Sequence, residues 1–387
     1  MTTTNNIHSF FYLDSIREFI KLSQAKSCFV YYKTYRINLC DNKKEEFVFN
    51  SFLEHLDNIK INQSFPNPKV IHLFYELSFL LYGFDDLLGG NDIYAIEIDY
   101  EKTEKVDFNY ENNISLDLVK SPDKKQYTDI FNLGREHLLQ GNCYQFNLTY
   151  PFEFKINDFN NEDDIINSIF YNTETVGTFA HSTVLPPIGK QFISNSPECL
   201  FKISKYNNYF KLQSMPIKGS INYNNDEDFH QKWNELINSK KNESELFMIT
   251  DLIKNDLSKI EGPTAEVISL KLPLEVPGIL HQYSLLSVDL SYKVTLRKIV
   301  ESLFPGGSIT GAPKKRIIKI LSELENYKRG FYCGSTIFLY KEKISASINI
   351  RSAEVMSNKK LLRYSAGGGI TLNSNVEDEF DEMKMKR

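Results

Sequence analysis

The sequence predicts an α+β fold. Strand-like segments cluster in some stretches and helical periodicities in others, with no regular alternation of the two. Hydrophobic residues make up 41% of the 387 positions and charged residues 25%, a globular balance with ample material for a core. Aromatic residues reach 13%, and the run Cys143–Lys155 alternates in the manner of a half-buried strand. Length alone allows two or three domains, or one large one. The polar stretch Glu101–Lys125, with few apolar residues, reads as a connection. It divides residues 1–120, an N-terminal region packing on the same unit, from residues 121–387.

Along the second part, Tyr127, Ile130, Phe131, Gly134, His137 and Leu138 follow helical spacing, and Gly141 is a C-terminal stop. Cys143–Lys155 is the first strand. Further strands are expected at Gln191–Ile193, Leu200–Ile203, Phe331–Tyr340, Ile344–Val355 and Leu361–Ala366. Helices are expected at Asp228–Ser239, Glu243–Ile260, Pro313–Asn326 and Val376–Lys386.

Composition excludes several function classes. With 45 Lys+Arg against 50 Asp+Glu the chain is mildly acidic, whereas nucleic-acid binding usually brings a basic excess. Five cysteines stand at wide spacing with no C-x-x-C pair, which argues against a disulfide scaffold or a thiolate zinc site. Met1–His8 is polar, without the basic and apolar regions of a signal peptide. No apolar run approaches the ~20 residues of a membrane helix. The expectation is a cytoplasmic protein with neither a nucleic-acid nor a membrane partner.

Several segments have a chemical look. In Glu243–Ile260 an apolar stripe runs Met248, Ile249, Leu252, with Glu245 and Asp256 close to it. An inward carboxylate needs a cation, a metal or a proton; a helix-end acid favoured by the dipole explains Glu245 as well. Glu379 and Glu382 share a face of the last helix. Such oxygen ligands suit Mg²⁺, as they also suit a solvated acidic turn. Two glycine runs, in Phe304–Lys315 and at Gly367–Gly369, would let backbone approach a ligand, or simply turn the chain. In Ile344–Val355, read as one strand, Ser345, Ser347, Asn349 and Arg351 share a polar face, and Arg351 could fork onto a carboxylate. Lys218, among Pro216, Ile217 and Gly219, could be desolvated and nucleophilic, although most lone lysines lie at the surface.

These segments together resemble the chorismate-utilising enzymes. The matching strings are Ser196-Pro197-Glu198, Pro216–Ser220, Glu245 with Met248–Leu252, Asn255–Leu257, Pro305–Lys314, Arg329–Gly334, Ile350-Arg351, and the run from Gly367 to Glu382. Gly141, Tyr144-Gln145 and Asn147–Thr149 fit an earlier strand of the family. The match covers roughly residues 121–387; before it only Leu13–Ser15 and Phe74–Glu76 fit. One departure is Lys254, where the family usually has Arg.

The resemblance implies two packed antiparallel sheets flanked by helices, with chorismate and Mg²⁺ in a cleft of the C-terminal half. By the same resemblance Glu245 and Glu382 hold the metal. Arg351, Tyr332 and backbone amides near Gly367 and Gly369 meet the enolpyruvyl carboxylate, Lys386 also faces a carboxylate, and Thr310 contacts substrate. His281 matches an active-site histidine and Glu198 the acid that assists loss of the ring hydroxyl. Lys218 points within the family to the aminodeoxychorismate synthases, which characteristically carry Lys there; anthranilate and isochorismate synthases usually carry Ala. Anthranilate synthase component I is the alternative among enzymes, and a degenerate binding module the alternative outside them. No glutaminase nucleophile motif is present, so the resemblance implies a separate glutamine amidotransferase subunit supplying ammonia.

Overall fold

The computed structural model describes residues 6–108, 114–157, 162–170, 176–206, 209–223, 226–262, 265–276 and 279–386. Its strands pair antiparallel, and the long strand Glu18–Tyr31 joins two arms of the ladder. One arm runs through His8–Leu13, His181–Leu185, Lys190–Ser194, Ser352–Met356 and Leu361–Ile370 to Gln145–Ile156. The other runs through Ala95–Val106, Phe65–Leu73, Ser335–Lys341, Lys343–Ile348, Cys199–Lys205 and Phe210–Met215 to Ile279–Leu290.

Side chains from both arms meet in one core. Phe11 and Phe192 of the first pack with Val70, Ile96 and Phe338 of the second. Polar groups bridge the arms too: fully buried His72 bonds Thr336 Oγ1 through Nδ1 (2.8 Å) and Thr183 Oγ1 through Nε2 (2.9 Å). The arrangement is the expected pair of packed sheets. Outside the first arm, helices Lys124–Leu139, Lys314–Leu324 and Val376–Met385 bury Tyr127, Phe131, Ile317, Leu321, Phe380 and Met383 against Phe146, Leu148 and Ile370.

Most expected elements are present, with four corrections. The stretch Glu101–Lys125 is not simply a connection. Its start continues the strand Ala95–Val106, paired with Glu18–Tyr31, and its end contains the edge strand Leu116–Lys120. Pairing to a covered neighbour lets a polar sequence form a strand that its composition hides. Phe331–Gly334 is a turn, and the strand begins at Ser335, with Cys333 at φ +62°. The segment Ile344–Val355 is two strands, Lys343–Ile348 and Ser352–Met356, broken where Arg351 takes φ +48°. The buried stripe of helix Lys240–Glu261 is Leu246, Ile249, Ile253, Leu257 and Ile260, one helical step away from Met248 and Leu252.

Asp256 on that stripe is the inward carboxylate that required a partner. It is 1% exposed and takes Lys314 Nζ at 2.6 Å and Lys259 Nζ at 2.7 Å. A cation, rather than a metal or a proton, satisfies it. Among the described residues no helix is long and apolar enough to cross a membrane.

Candidate active site

Lys218 lies on the short strand Ile217–Asn222, against Ile279–Leu290. The register pairs Ile217 with Tyr283 and Ser220 with His281, so three steps on one strand meet two on the other. This β-bulge holds Lys218 and Gly219, the latter at φ +88°, a conformation that Gly takes without strain. The bulge re-aims the Lys218 side chain toward the strand Leu361–Ile370. A Cβ on Gly369 would come within 2.9 Å of Lys218 Nζ and would overlap the Gln145 amide nitrogen. The glycine there leaves room for the amine.

Glu198 sits where the chain enters the strand Cys199–Lys205. Its N–H donates to Ser196 Oγ (3.1 Å), Ser196 Oγ donates to the Ile348 carbonyl (2.6 Å), and Ile348 N–H donates to the Glu198 carbonyl (3.0 Å). The carboxyl is 3% exposed and its Oε1 is buried without a partner. Burial raises its pKa to about 7; the Ser308 hydroxyl, the Lys218 ammonium and the Ile217 backbone amide oppose the rise. Near neutral pH this carboxyl can give up a proton.

His281 is 7% exposed and both its ring nitrogens are engaged: Nδ1 with Ser220 Oγ at 2.7 Å, Nε2 with Arg351 Nη2 at 3.1 Å. Burial lowers its pKa to about 3, and the charges of Arg351 and Lys386 push the same way while the Gly219 backbone opposes. The imidazole is therefore neutral. Arg351 reaches it because the chain breaks between two strands, a break held by the Asn195 N–H on the Arg351 carbonyl (3.0 Å). Arg351 is the end of that break, not of a continuous polar strand face.

The last helix brings in the acidic groups. Asn375 caps it, accepting from the N–H groups of Glu377 and Asp378. Lys386 Nζ holds Glu382 at 2.7 Å and donates to the Gly367 carbonyl at 3.0 Å. Glu379 is 3% exposed, and its Oε1 accepts from Ser374 Oγ at 2.8 Å. Burial raises the Glu379 pKa first, and the charges of Glu382 and Glu245 raise it further. Glu382 is held below the usual carboxylate range, against burial, chiefly by Lys386. Glu379 thus feels a carboxylate from each side, Glu382 of its own helix and Glu245 of helix Lys240–Glu261, with Lys241 Nζ 3.7 Å away. The donors are all hard oxygens, which fits a hard divalent cation. Among the described residues no three His, Cys, Asp or Glu side chains stand in closed coordination geometry, Glu382 being held by Lys386 instead.

Thr310 is fully buried with Oγ1 unpartnered, and its carbonyl accepts from Asn147 N–H (3.0 Å). Tyr332 is 8% exposed and lies in the field of Tyr364, whose phenol is in turn near Arg351. Gly367 and Gly369 pair with Thr149 and Asn147. Direct contact or field thus links Glu198, Lys218, His281, Arg351, Lys386, Glu382 and both glycines; Thr310 and Tyr332 join through neighbours, and Glu245 only through Glu379.

Three residues were not singled out from the sequence as site groups: Gln145, Ser220 and Ser308. The polar face Gln145, Asn147, Thr149 of an otherwise apolar strand is a readable signal for the first. Ser220 and Ser308 depend on pairings that sequence spacing does not reveal. A cavity of about 660 Å³ elsewhere is lined by Phe11, Leu13, Phe179, His181 and Phe338, and contains none of the expected site residues.

Known proteins resemble this chain in sequence and in fold. The profile of chorismate binding enzymes matches residues 91–387. The chain is 32% identical over 260 residues to aminodeoxychorismate synthase component 1 of Salmonella typhimurium, covering 66% of this chain and 55% of that protein. It is 30% identical over 302 residues to the Escherichia coli protein of the same name, covering 76% and 63%. It is also 31% identical over 270 residues to anthranilate synthase component 1 of Saccharolobus solfataricus, covering 69% and 61%. The matched segment therefore spans a little over half of these relatives. The fold superposes on the crystal structure of anthranilate synthase component I from Streptococcus pneumoniae with a TM-score of 0.75 at 16% identity, over 95% of this chain and 90% of that one. The chain belongs to the chorismate binding enzyme family.

Proposed function

We propose that the chain aminates chorismate to 4-amino-4-deoxychorismate, with Mg²⁺ and with ammonia from a separate glutamine amidotransferase subunit. The observation that carries this reading is Lys218, an amine turned by a bulge into a glycine gap in the field of a buried, protonatable Glu198.

Lys218, once its ammonium proton has been removed, bonds through nitrogen to ring carbon 2. The ring double bonds shift, and the carbon–oxygen bond at carbon 4 breaks. Glu198 gives its proton to the departing hydroxyl, which leaves as water, and the amine's surplus proton passes to the glutamate. Ammonia then bonds to carbon 4 and the double bonds shift back; Glu198 returns its proton to the Lys218 nitrogen as the carbon 2–nitrogen bond breaks, and the new ammonium at carbon 4 gives one back to the glutamate. The net change is chorismate plus ammonia giving aminodeoxychorismate plus water. Arg351, with Tyr332 and the backbone near Gly367 and Gly369, receives the enolpyruvyl carboxylate, and Thr310 contacts the substrate. Glu245 and Glu382, with Glu379 beside them, would hold Mg²⁺, which supplies positive charge for the ring carboxylate.

Conversion of chorismate to anthranilate and pyruvate is the second reading, favoured by the Saccharolobus relative. It gives Lys218 no covalent part. Quenching the chain with chorismate and Mg²⁺, without ammonia, and weighing the intact protein separates the two. The proposal expects a species heavier by chorismate less one water, located at Lys218 and missing from Lys218→Arg. A Lys218→Arg enzyme of full activity would overturn it.

A further inference from the structure

The bulge that turns Lys218 has a second consequence two residues later. Because one residue is extra, Ser220 falls directly opposite His281 in the register. Its hydroxyl oxygen stands 2.7 Å from Nδ1. On the other side Arg351 Nη2 is 3.1 Å from Nε2. A guanidinium can only donate. Nε2 must therefore accept, and in a neutral ring the single proton is then on Nδ1, donated to Ser220 Oγ. His281 has no proton to give toward the cleft, and its one free lone pair is spent on Arg351.

We infer that Ser220 is a positioning residue: through the His281 ring it fixes the orientation in which Arg351 presents its remaining N–H groups to the substrate carboxylate. The inference rests on the proposed reading in one respect, that Arg351 receives a carboxylate of chorismate. Arg351 needs such support. It stands at φ +48° between two strands, and a long side chain there has several rotamers open to it. A hydrogen bond to a ring that is itself anchored selects one of them. His281 acts in the same chain of contacts, as an acceptor rather than a proton donor.

The test has two readouts. In protein labelled with ¹⁵N-histidine, His281 should give the signature of a neutral ring protonated at Nδ1 at pH 7. An imidazolium, or a ring protonated at Nε2, would overturn the inference, because neither can accept from Arg351; this measurement needs no substrate. The second readout is chorismate affinity, measured by calorimetry with Mg²⁺ present. Ser220→Ala should weaken it about three- to tenfold, and Ser220→Thr, which keeps the hydroxyl, should restore most of the loss. Unchanged affinity in Ser220→Ala, or an equal loss in Ser220→Thr, would overturn the positioning role. If the ring has the expected proton but the wild-type chain fails to bind chorismate, the proposed substrate is wrong and the inference about Arg351 falls with it.

Discussion

Burial sets the protonation of Glu198, and the proposed amination depends on that proton. Its pKa of about 7 lies well above that of an exposed glutamate. The acid form is present below pH 7 and lost above it. At a fixed concentration of free ammonia, turnover should therefore fall as pH rises through about 7, a limb visible in a pH–rate profile. The same shift has a stability sign. Between the unfolded value and about 7 the folded chain binds a proton that the unfolded chain does not, so this residue's contribution to stability declines as pH rises through that window. Glu198→Gln should lower turnover by roughly 10²–10⁴-fold. It should also remove the limb, and loss of turnover with the limb intact would assign the titration elsewhere.

Ion pairs hold the elements that carry the site. Arg329, 2% exposed, donates to Glu325 Oε2 (2.7 Å) and Oε1 (2.8 Å), and also to the carbonyls of Ile309 (2.9 Å) and Asn147 (2.6 Å). Glu325 Oε1 accepts from the N–H (3.1 Å) and hydroxyl (2.9 Å) of Thr149. This knot joins the turn bearing Thr310 to the strand bearing Gln145, Asn147 and Thr149. Removing one partner strands the other charge in the interior, at a cost of about 3–5 kcal/mol. Glu325→Ala should lower the urea midpoint accordingly, and a change below 1 kcal/mol would show the knot to be dispensable. The sequence exposed these elements unevenly. Strong periodicity and glycine stops placed the helices and the strand Gln145–Ile156. It did not reveal the break at Arg351 or the bulge at Gly219, because both depend on which strands lie alongside. Glu379 and Glu382 could be read only as a pair on one helix face, since Glu245 acts on Glu379 from a helix distant in sequence.

For the whole molecule, two helices far apart in sequence share one acidic locus, so cation binding should tie them together. Mg²⁺ at about 100 times its dissociation constant would stabilise the fold by roughly 2.7 kcal/mol. Thermal melting should show that rise in the wild-type chain and little of it in Glu245→Gln or Glu382→Gln. A full rise in either variant would place the cation elsewhere. Activity should require free ammonia, with glutamine alone supporting nothing.

The central claim is tested most directly by product identity. Incubating the chain with chorismate, Mg²⁺ and an ammonium salt, then separating the products, should give 4-amino-4-deoxychorismate with no release of pyruvate. Anthranilate, recognised by its fluorescence and formed together with pyruvate, would contradict the account.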